Sequence, residues 1–199
     1  MITTIIFDLG GVLFTNGTER FIKIMSEKFN LEEKKVQEVM EGDLGSKYRE
    51  AKISREEFWQ KLLEQLQITA DIDALEMEWI SGYELIEGTR DLIQELSKKY
   101  KVYFLSDNVK ERVDKINEKH TFLAWFEGGV FSHEAGIRKP NPAIYKLTLE
   151  KANAKPEEAV FIDDKPAFLI PAEEMGMLTF AFETPEKLKE ELTKSKLLT

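Results

Sequence analysis

The chain has 199 residues, which is enough for one substantial hydrophobic core with a smaller inserted segment. Hydrophobic residues make up 42% of it and charged residues 33%, a balance that excludes a largely disordered chain. The net charge of −9 argues against a nucleic-acid-binding protein, because binding to the phosphate backbone depends on clustered Lys and Arg. Since the sequence contains no cysteine, disulfides, thiol nucleophiles and thiolate metal sites are excluded too.

The sequence has no pattern typical of a membrane protein or of a secretory signal. No stretch approaches the roughly 18 consecutive apolar residues of a membrane-spanning helix. The apolar run at the start is short and lacks the basic flank of a signal peptide. We therefore expect a cytoplasmic protein that has no membrane or nucleic-acid partner and acts as a monomer or homodimer.

The first predicted strand covers Ile2–Phe7, whose residues are mostly branched or aromatic. Such a run is typical of a strand buried on both faces, as in a parallel sheet covered by helices. Asp8 follows at once, at the position where open α/β sheets bind their ligands. Gly10 and Gly11 come next and allow the backbone to turn tightly. Taken alone, Asp8 could equally be an ordinary turn residue.

About seventy residues after Phe14 have helical periodicity without a strand. Four helices are predicted, around residues 18–29, 31–40, 54–66 and 72–80. Together they predict a small all-helical cap over residues 15–84. We expect its aromatic residues, Phe58 and Trp59 among them, to form the core of this cap and not a ligand site.

From Gly88 onward, strand and helix patterns alternate. Strands are predicted at 102–105, 130–132, 159–162 and 178–182, with helices between them. This alternation predicts an α/β core, a Rossmann-like parallel sheet with helices on both faces, formed by residues 1–14 and 85–199. The last residues, Lys194–Thr199, are expected to be mobile.

Polar side chains follow several of these strands. Asp8 ends the first strand, Ser106 and Asp107 the second, and Asp163 and Asp164 a later one, while Lys139 lies in the loop 133–140. The ends of neighbouring parallel strands share one sheet edge, so these side chains can converge. Clustered acids repel one another unless positive charge lies among them, which Mg²⁺ and Lys139 would supply. The alternatives are a solvated helix N-terminus at Asp163-Asp164 and a surface lysine at 139.

The ordered set of motifs resembles the haloacid dehalogenase-like (HAD) hydrolase superfamily. Its four motifs match Asp8–Leu13, Ser106, Lys139 within Gly136–Pro140, and Phe161–Asp164. The predicted helical segment resembles the small cap that many members carry between the first two motifs. The resemblance covers nearly the whole chain and implies hydrolysis of a small phosphorylated substrate with Mg²⁺ as cofactor.

The resemblance also implies a role for each matched residue. Asp8 would attack the phosphoryl group to form an aspartyl-phosphate that water then hydrolyses. Ser106, with Asp107 and Asn108 in the same loop, would bind the substrate. Lys139 would contact the substrate and neutralise charge in the transition state. The implied metal ligands are Asp8, the backbone carbonyl of Gly10, Asp164 and, directly or through another ligand, Asp163.

Gly10 departs from the phosphatases of the superfamily, which usually have a second Asp at this position as general acid and base. Its absence predicts a slower reaction or one restricted to good leaving groups, since general acid–base help is worth about 10²–10⁴-fold. Some members that resemble sugar-phosphate phosphatases also have glycine here. Two alternatives remain open: a 2-haloacid dehalogenase, although paired acids such as Asp163-Asp164 favour Mg²⁺ chemistry, and a protein that binds a ligand or partner without turnover.

The resemblance further implies that the cap selects the substrate. The hydrophilic run Gly45–Arg49 is the candidate for this role, with Arg49 pairing with a second anionic group and Tyr48 stacking on a ring. A solvated linker between helices is the alternative. Hinges are expected near Thr15–Gly17 and Gly82–Gly88.

Overall fold

Five strands form one fully parallel sheet in the order β3-β2-β1-β4-β5 in the computed structural model, which describes residues 1–198. The strands are β1 Thr4–Phe7, β2 Lys101–Ser106, β3 Gly128–Phe131, β4 Ala159–Asp163 and β5 Leu178–Ala181. Every residue of β1 is buried, because this strand lies between β2 and β4 with helices on both sides. The predicted Rossmann-like α/β fold is confirmed.

Eleven α-helices are found among the described residues. They are α1 Gly17–Phe29, α2 Glu33–Glu41, α3 Asp43–Arg49, α4 Arg55–Leu66, α5 Ile72–Ser81, α6 Glu87–Leu96, α7 Lys110–His120, α8 Ser132–Ala135, α9 Pro142–Ala152, α10 Pro166–Glu174 and α11 Pro185–Lys194. No helix within residues 1–198 combines the length and the hydropathy that crossing a membrane requires.

Alternate side chains of each strand point to opposite faces of the sheet, and each face has its own hydrophobic cluster. Ile5 and Phe7 of β1 belong to the cluster that contains residues of α6, α7 and α11. Ile6 belongs to the other, which contains residues of α9 and α10. Because both faces are covered, polar groups at the strand ends are among the few that can reach a ligand.

Helices α1–α5, which we call the helical insert, lie between β1 and β2 in the chain. Asn16, Ser54 and Asp71 cap α1, α4 and α5 with their side chains, which explains where these helices begin. The aromatic rings of the insert pack together, and Phe58 and Trp59 are fully buried. The expectation that they form a core is confirmed. The division into core and cap at residues 15 and 84 stays a prediction.

The run Gly45–Arg49 is the last part of helix α3, which the sequence analysis did not predict. Tyr48 and Arg49 are both buried, so the alternative of a solvated linker is wrong. Gly45 makes this packing possible: a Cβ there would lie 1.8 Å from the carbonyl oxygen of Met40. The polar side chains of this run suggest an exposed segment, yet the helix is largely buried. Arg49 can be buried because it donates hydrogen bonds to backbone carbonyls inside the fold.

The end of the chain packs against the protein. Leu197 and Leu198 are buried in the same cluster as α11, and the Tyr100 hydroxyl donates a hydrogen bond of 3.0 Å to the Leu197 carbonyl. The expectation of a mobile tail is therefore wrong for residues 194–198, because two terminal leucines bury apolar surface. Thr199 lies outside the described residues.

The two segments that join the helical insert to the sheet run side by side. Phe14 and Leu85 form an antiparallel bridge, and the backbone N–H of Thr15 donates to the Glu84 carbonyl at 2.8 Å. The Thr15 hydroxyl also donates to the Gly82 carbonyl at 2.7 Å. These bonds link the two segments where hinges were predicted, and hinge motion itself stays a prediction.

Candidate active site

The ends of three neighbouring strands bring the predicted residues together. Asp8 follows β1, Ser106 ends β2 and Asp163 ends β4, and each is at most 6% exposed. Lys139 enters from the loop after α8 and is 1% exposed. Asp8, Ser106 and Lys139 line one cavity of about 70 Å³. Its lining also includes the predicted residues Gly10, Asp107 and Asn108.

Lys139 lies between two carboxylates. Its Nζ is 2.9 Å from Asp8 Oδ1 and 2.5 Å from Asp163 Oδ2. Burial alone would lower the pKa of Lys139, but the charges of Asp163 and Asp8 outweigh it and raise that pKa above its ordinary value. The ammonium therefore stays protonated and can hold negative charge beside Asp8.

Burial disfavours the charged form of the three acids at this edge. Desolvation raises the pKa of Asp8 to about 7, with Asp163 adding to the shift and Lys139 opposing it. Burial likewise raises the pKa values of Asp163 and Asp164, and the charge of Asp8 adds to the shift at Asp164. One ammonium is too little positive charge for three carboxylates.

The acids are arranged as a divalent cation would require. One oxygen from each of Asp8, Asp163 and Asp164 lies within 4.8 Å of the others. The buried Asp164 Oδ1 has no hydrogen-bond partner among residues 1–198. Gly11, at φ +91°, permits this approach, because a Cβ there would lie 2.3 Å from Asp164 Oδ2. Carboxylate oxygens are the ligands that Mg²⁺ prefers, so the residues fit this ion.

Asp107 and Asn108 are engaged by neighbouring groups. Asp107 accepts a hydrogen bond of 3.1 Å from the Lys139 backbone N–H and another of 3.1 Å from Arg138 Nε. Asn108 Oδ1 accepts from Arg112 Nε at 2.6 Å. These bonds position the loop that carries Lys139 and the first turn of α7. Direct contact of Asp107 and Asn108 with a substrate stays a prediction.

The sequence analysis missed Arg112, a residue of α7 that lines the cavity and is 2% exposed. Its Nη1 donates to the Tyr83 hydroxyl at 2.7 Å, and that hydroxyl also bonds to Thr18 Oγ1. Arg112 lies one turn before Ile116 on the apolar face of α7, and a charge on an apolar stripe was the signal for it.

Gly10 lies beside the same tyrosine. A Cβ at position 10 would meet Tyr83 Cε1 at 3.6 Å, an ordinary contact, so the site has room for a side chain. The packing around position 10 therefore does not require glycine.

A family model described as haloacid dehalogenase-like hydrolase matches residues 2–176. Among curated relatives, the sesquiterpene phosphatase astK of Aspergillus oryzae is 25% identical over 175 residues, which is 87% of this chain and 86% of that protein. Flavin mononucleotide hydrolase 1 of Arabidopsis thaliana is 28% identical over 123 residues, covering 62% of this chain and 50% of the relative. The chain spans less than two thirds of the first curated relatives that it matches.

A HAD family enzyme from Bacteroides thetaiotaomicron has a crystal structure that superimposes with a TM-score of 0.80 at 26% identity, covering 96% of this chain and 98% of that one. The same enzyme crystallised with magnesium and inorganic phosphate gives a TM-score of 0.76, covering 92% of this chain and 96% of the other. With the family match over most of its length, the chain belongs to the haloacid dehalogenase-like hydrolases.

Proposed function

We propose that this hydrolase is a Mg²⁺-dependent phosphatase of small phosphorylated metabolites that works through an aspartyl-phosphate on Asp8. The observation that carries the proposal is the gathering of Asp8, Lys139, Asp163 and Asp164 at the end of the central strands. Phosphatases among the relatives, and a neighbour crystallised with magnesium and phosphate, support the same chemistry.

The proposed reaction has two steps. In the first, an Asp8 carboxylate oxygen bonds to phosphorus while the bond from phosphorus to the leaving oxygen breaks. In the second, water attacks the aspartyl-phosphate, inorganic phosphate leaves and the Asp8 carboxylate is restored. Lys139, 2.9 Å from Asp8, neutralises negative charge on the phosphoryl oxygens in both steps. Ser106, buried at the next strand end, would donate a hydrogen bond to one of those oxygens.

The proposed Mg²⁺ ligands are Asp8, Asp163, Asp164 and the carbonyl of Gly10. A bound Mg²⁺ supplies the positive charge that these acids lack and orients the phosphoryl group for in-line attack. Asp163 also binds Lys139, so it can restrain the ammonium and the metal end of the site together.

Gly10 cannot donate a proton to the leaving group. We therefore infer that the enzyme prefers esters whose leaving oxygen is less basic, such as a sugar 1-phosphate. The cavity of about 70 Å³ supports a small substrate, since pockets for drug-sized ligands usually hold about 300–1,000 Å³. A larger ester would need the helical insert to move.

The test is a panel of phosphate esters assayed for phosphate release with Mg²⁺ and with EDTA. We expect turnover with Mg²⁺ that Asp8→Asn abolishes. Halide release from 2-haloacids without metal would instead indicate a dehalogenase, which also works without a second acid at position 10. Failure to bind a phosphate-mimicking metal fluoride with Mg²⁺, together with no turnover, would indicate a binding protein.

A further inference from the structure

Two buried arginines line the cavity that contains Asp8. Arg49 comes from α3 and is 6% exposed, and Arg112 comes from α7 and is 2% exposed. Both guanidinium groups lie over the ring of Trp79, at 5.8 Å and 4.6 Å from its centroid. Two segments 63 positions apart in the sequence thus bring two positive charges to the same indole.

Neither arginine forms an ion pair with a carboxylate among residues 1–198. Arg49 Nη1 donates to the carbonyls of Met40 and Gly45 at 2.8 Å and 3.0 Å. Arg112 donates to Asn108 Oδ1 at 2.6 Å and to the Tyr83 hydroxyl at 2.7 Å. A guanidinium has five N–H donors, so these neutral partners use fewer than half of them.

Two other cations of the cavity are paired, while a third, Lys165, is 42% exposed and lies 3.9 Å from Glu41. Arg138 contacts the Asp107 carboxylate, and Lys139 contacts two carboxylates. Burial and, second to it, the charge of Arg112 lower the pKa of Arg49 to about 10. Burial also lowers the pKa of Arg112. Arg49 still carries its charge at neutral pH, and an unpaired buried charge is costly unless a ligand compensates it.

We propose that Arg49 and Arg112 form a second anion-binding subsite, and that the substrate is a small phosphate monoester with a further carboxylate or phosphate. The inference rests on the proposed function, because it takes the cavity beside Asp8 as the place of the phosphate ester. Guanidinium groups suit this role, since their planar donors match both carboxylate and phosphate oxygens. The subsite narrows the substrate class from phosphate esters in general to those with two anionic groups.

The first test measures binding without turnover. In the Asp8→Asn variant with Mg²⁺, calorimetry compares 3-phosphoglycerate with glycerol 3-phosphate, which has the same skeleton but a hydroxymethyl group in place of the carboxylate. We expect 3-phosphoglycerate to bind at least about tenfold more tightly, because its carboxylate can accept charge-assisted hydrogen bonds from the guanidinium groups. Propane-1,3-diol bisphosphate, compared with its monophosphate, shows whether a second phosphate takes the same subsite.

The second test removes each arginine. Arg112→Gln and Arg49→Gln, each combined with Asp8→Asn, should bring the preference for 3-phosphoglycerate close to one while leaving the binding of glycerol 3-phosphate within about threefold. Arg112→Lys should keep part of the preference because the charge remains. Circular dichroism and thermal unfolding identify a variant that does not fold. If an arginine variant does not fold, the comparison of the two ligands in Asp8→Asn alone decides the proposal.

Equal binding of the two ligands to Asp8→Asn would overturn the subsite. So would a preference that survives both arginine substitutions, or an equal loss of both ligands in Arg112→Gln, which would place the phosphoryl group itself on Arg112. These outcomes are independent of catalysis. If esters with one anionic group are hydrolysed as fast as esters with two, the proposed function stands and the subsite does not. If 3-phosphoglycerate is preferred in binding but no ester is hydrolysed, the subsite stands and the proposed function does not.

Discussion

Two sets of cations line the cavity, and they differ in how their charge is balanced. At the end formed by the sheet, Lys139 contacts Asp8 and Asp163, and acids outnumber it. At the end formed by α3 and α7, Arg49 and Arg112 contact only neutral groups. The first end needs a cation and the second an anion. This difference agrees with the two proposals, in which the first set organises the nucleophile Asp8 and the second recognises a substrate anion.

The largest expected effect comes from the acidic end. Asp8→Asn removes the proposed nucleophile, so phosphate release should fall by about a thousandfold or more. The matched control is Asp114→Asn in α7, a surface carboxylate paired with Lys110, which should keep normal turnover. Substantial phosphate release by Asp8→Asn would mean that this end does not carry the chemistry.

Lys139→Met tests the charge balance at the same end. Without the ammonium, two buried carboxylates face each other, and the free energy of unfolding should fall by about 3–5 kcal/mol. Urea unfolding without metal measures this. Lys165→Met is the control, because Lys165 lines the same cavity but its side chain is 42% exposed and 3.9 Å from Glu41. It should change stability by less than about 1 kcal/mol. If Lys139→Met and Lys165→Met lower the free energy of unfolding equally, the ion pairs of Lys139 do not contribute more to stability than a solvated lysine does.

The dependence on pH and Mg²⁺ sharpens the comparison. The pKa of Asp8 is about 7 in the folded protein against an ordinary value of 3.8, so the folded state binds more protons between those values. Without metal, this group makes stability fall as pH rises from about 4 to about 7. Mg²⁺ binds the deprotonated acids, and a hundredfold excess over its Kd should stabilise by about 2.7 kcal/mol above pH 7 and much less at pH 5.

Thermal unfolding across this pH range, with Mg²⁺ or EDTA, makes the measurement. Asp164→Asn is the matched variant, since it removes one oxygen ligand and should abolish most of the Mg²⁺ effect. The same Mg²⁺ stabilisation at pH 5 and pH 8 would contradict the assignment of these acids as ligands.

The smallest effect is expected at Gly10, which also lines the cavity. Gly10→Asp restores a carboxyl beside Tyr83, and its Cβ has room at 3.6 Å. Turnover of alkyl phosphates should rise by about tenfold, below the usual range for general acids because nothing here was built to hold this one. Gly10→Asn, which has the same shape without the acid, is the control. A gain in Gly10→Asn as large as in Gly10→Asp would show that proton donation is not what limits the enzyme.

The sequence predicts the sheet and its acidic end well because both depend on local patterns. A run of buried branched residues identifies β1, and the rule that parallel strands end at one edge brings Asp8 and Asp163 together. These signals need no knowledge of how distant helices pack.

The arginine end could be predicted only in part. The sequence predicts Arg49 as a possible partner for an anion, but the burial of this residue in α3 depends on Gly45 and on backbone carbonyls that no periodicity reveals. Arg112 depends on Trp79 and Tyr83, residues from a segment that precedes it by about thirty positions. Such contacts arise from tertiary packing between distant segments, which local sequence patterns do not predict.

The two arginines belong to different parts of the chain: Arg49 to the helical insert, Arg112 to the helix that follows β2. Hydrogen bonds already join these parts near the cavity, among them the Ser132 hydroxyl donating to the Arg49 carbonyl at 2.7 Å. An anion bound by both guanidinium groups would link the helical insert to α7 and favour conformations in which the two lie close together. The second anionic group of the substrate would then serve both recognition and the docking of the helical insert against α7.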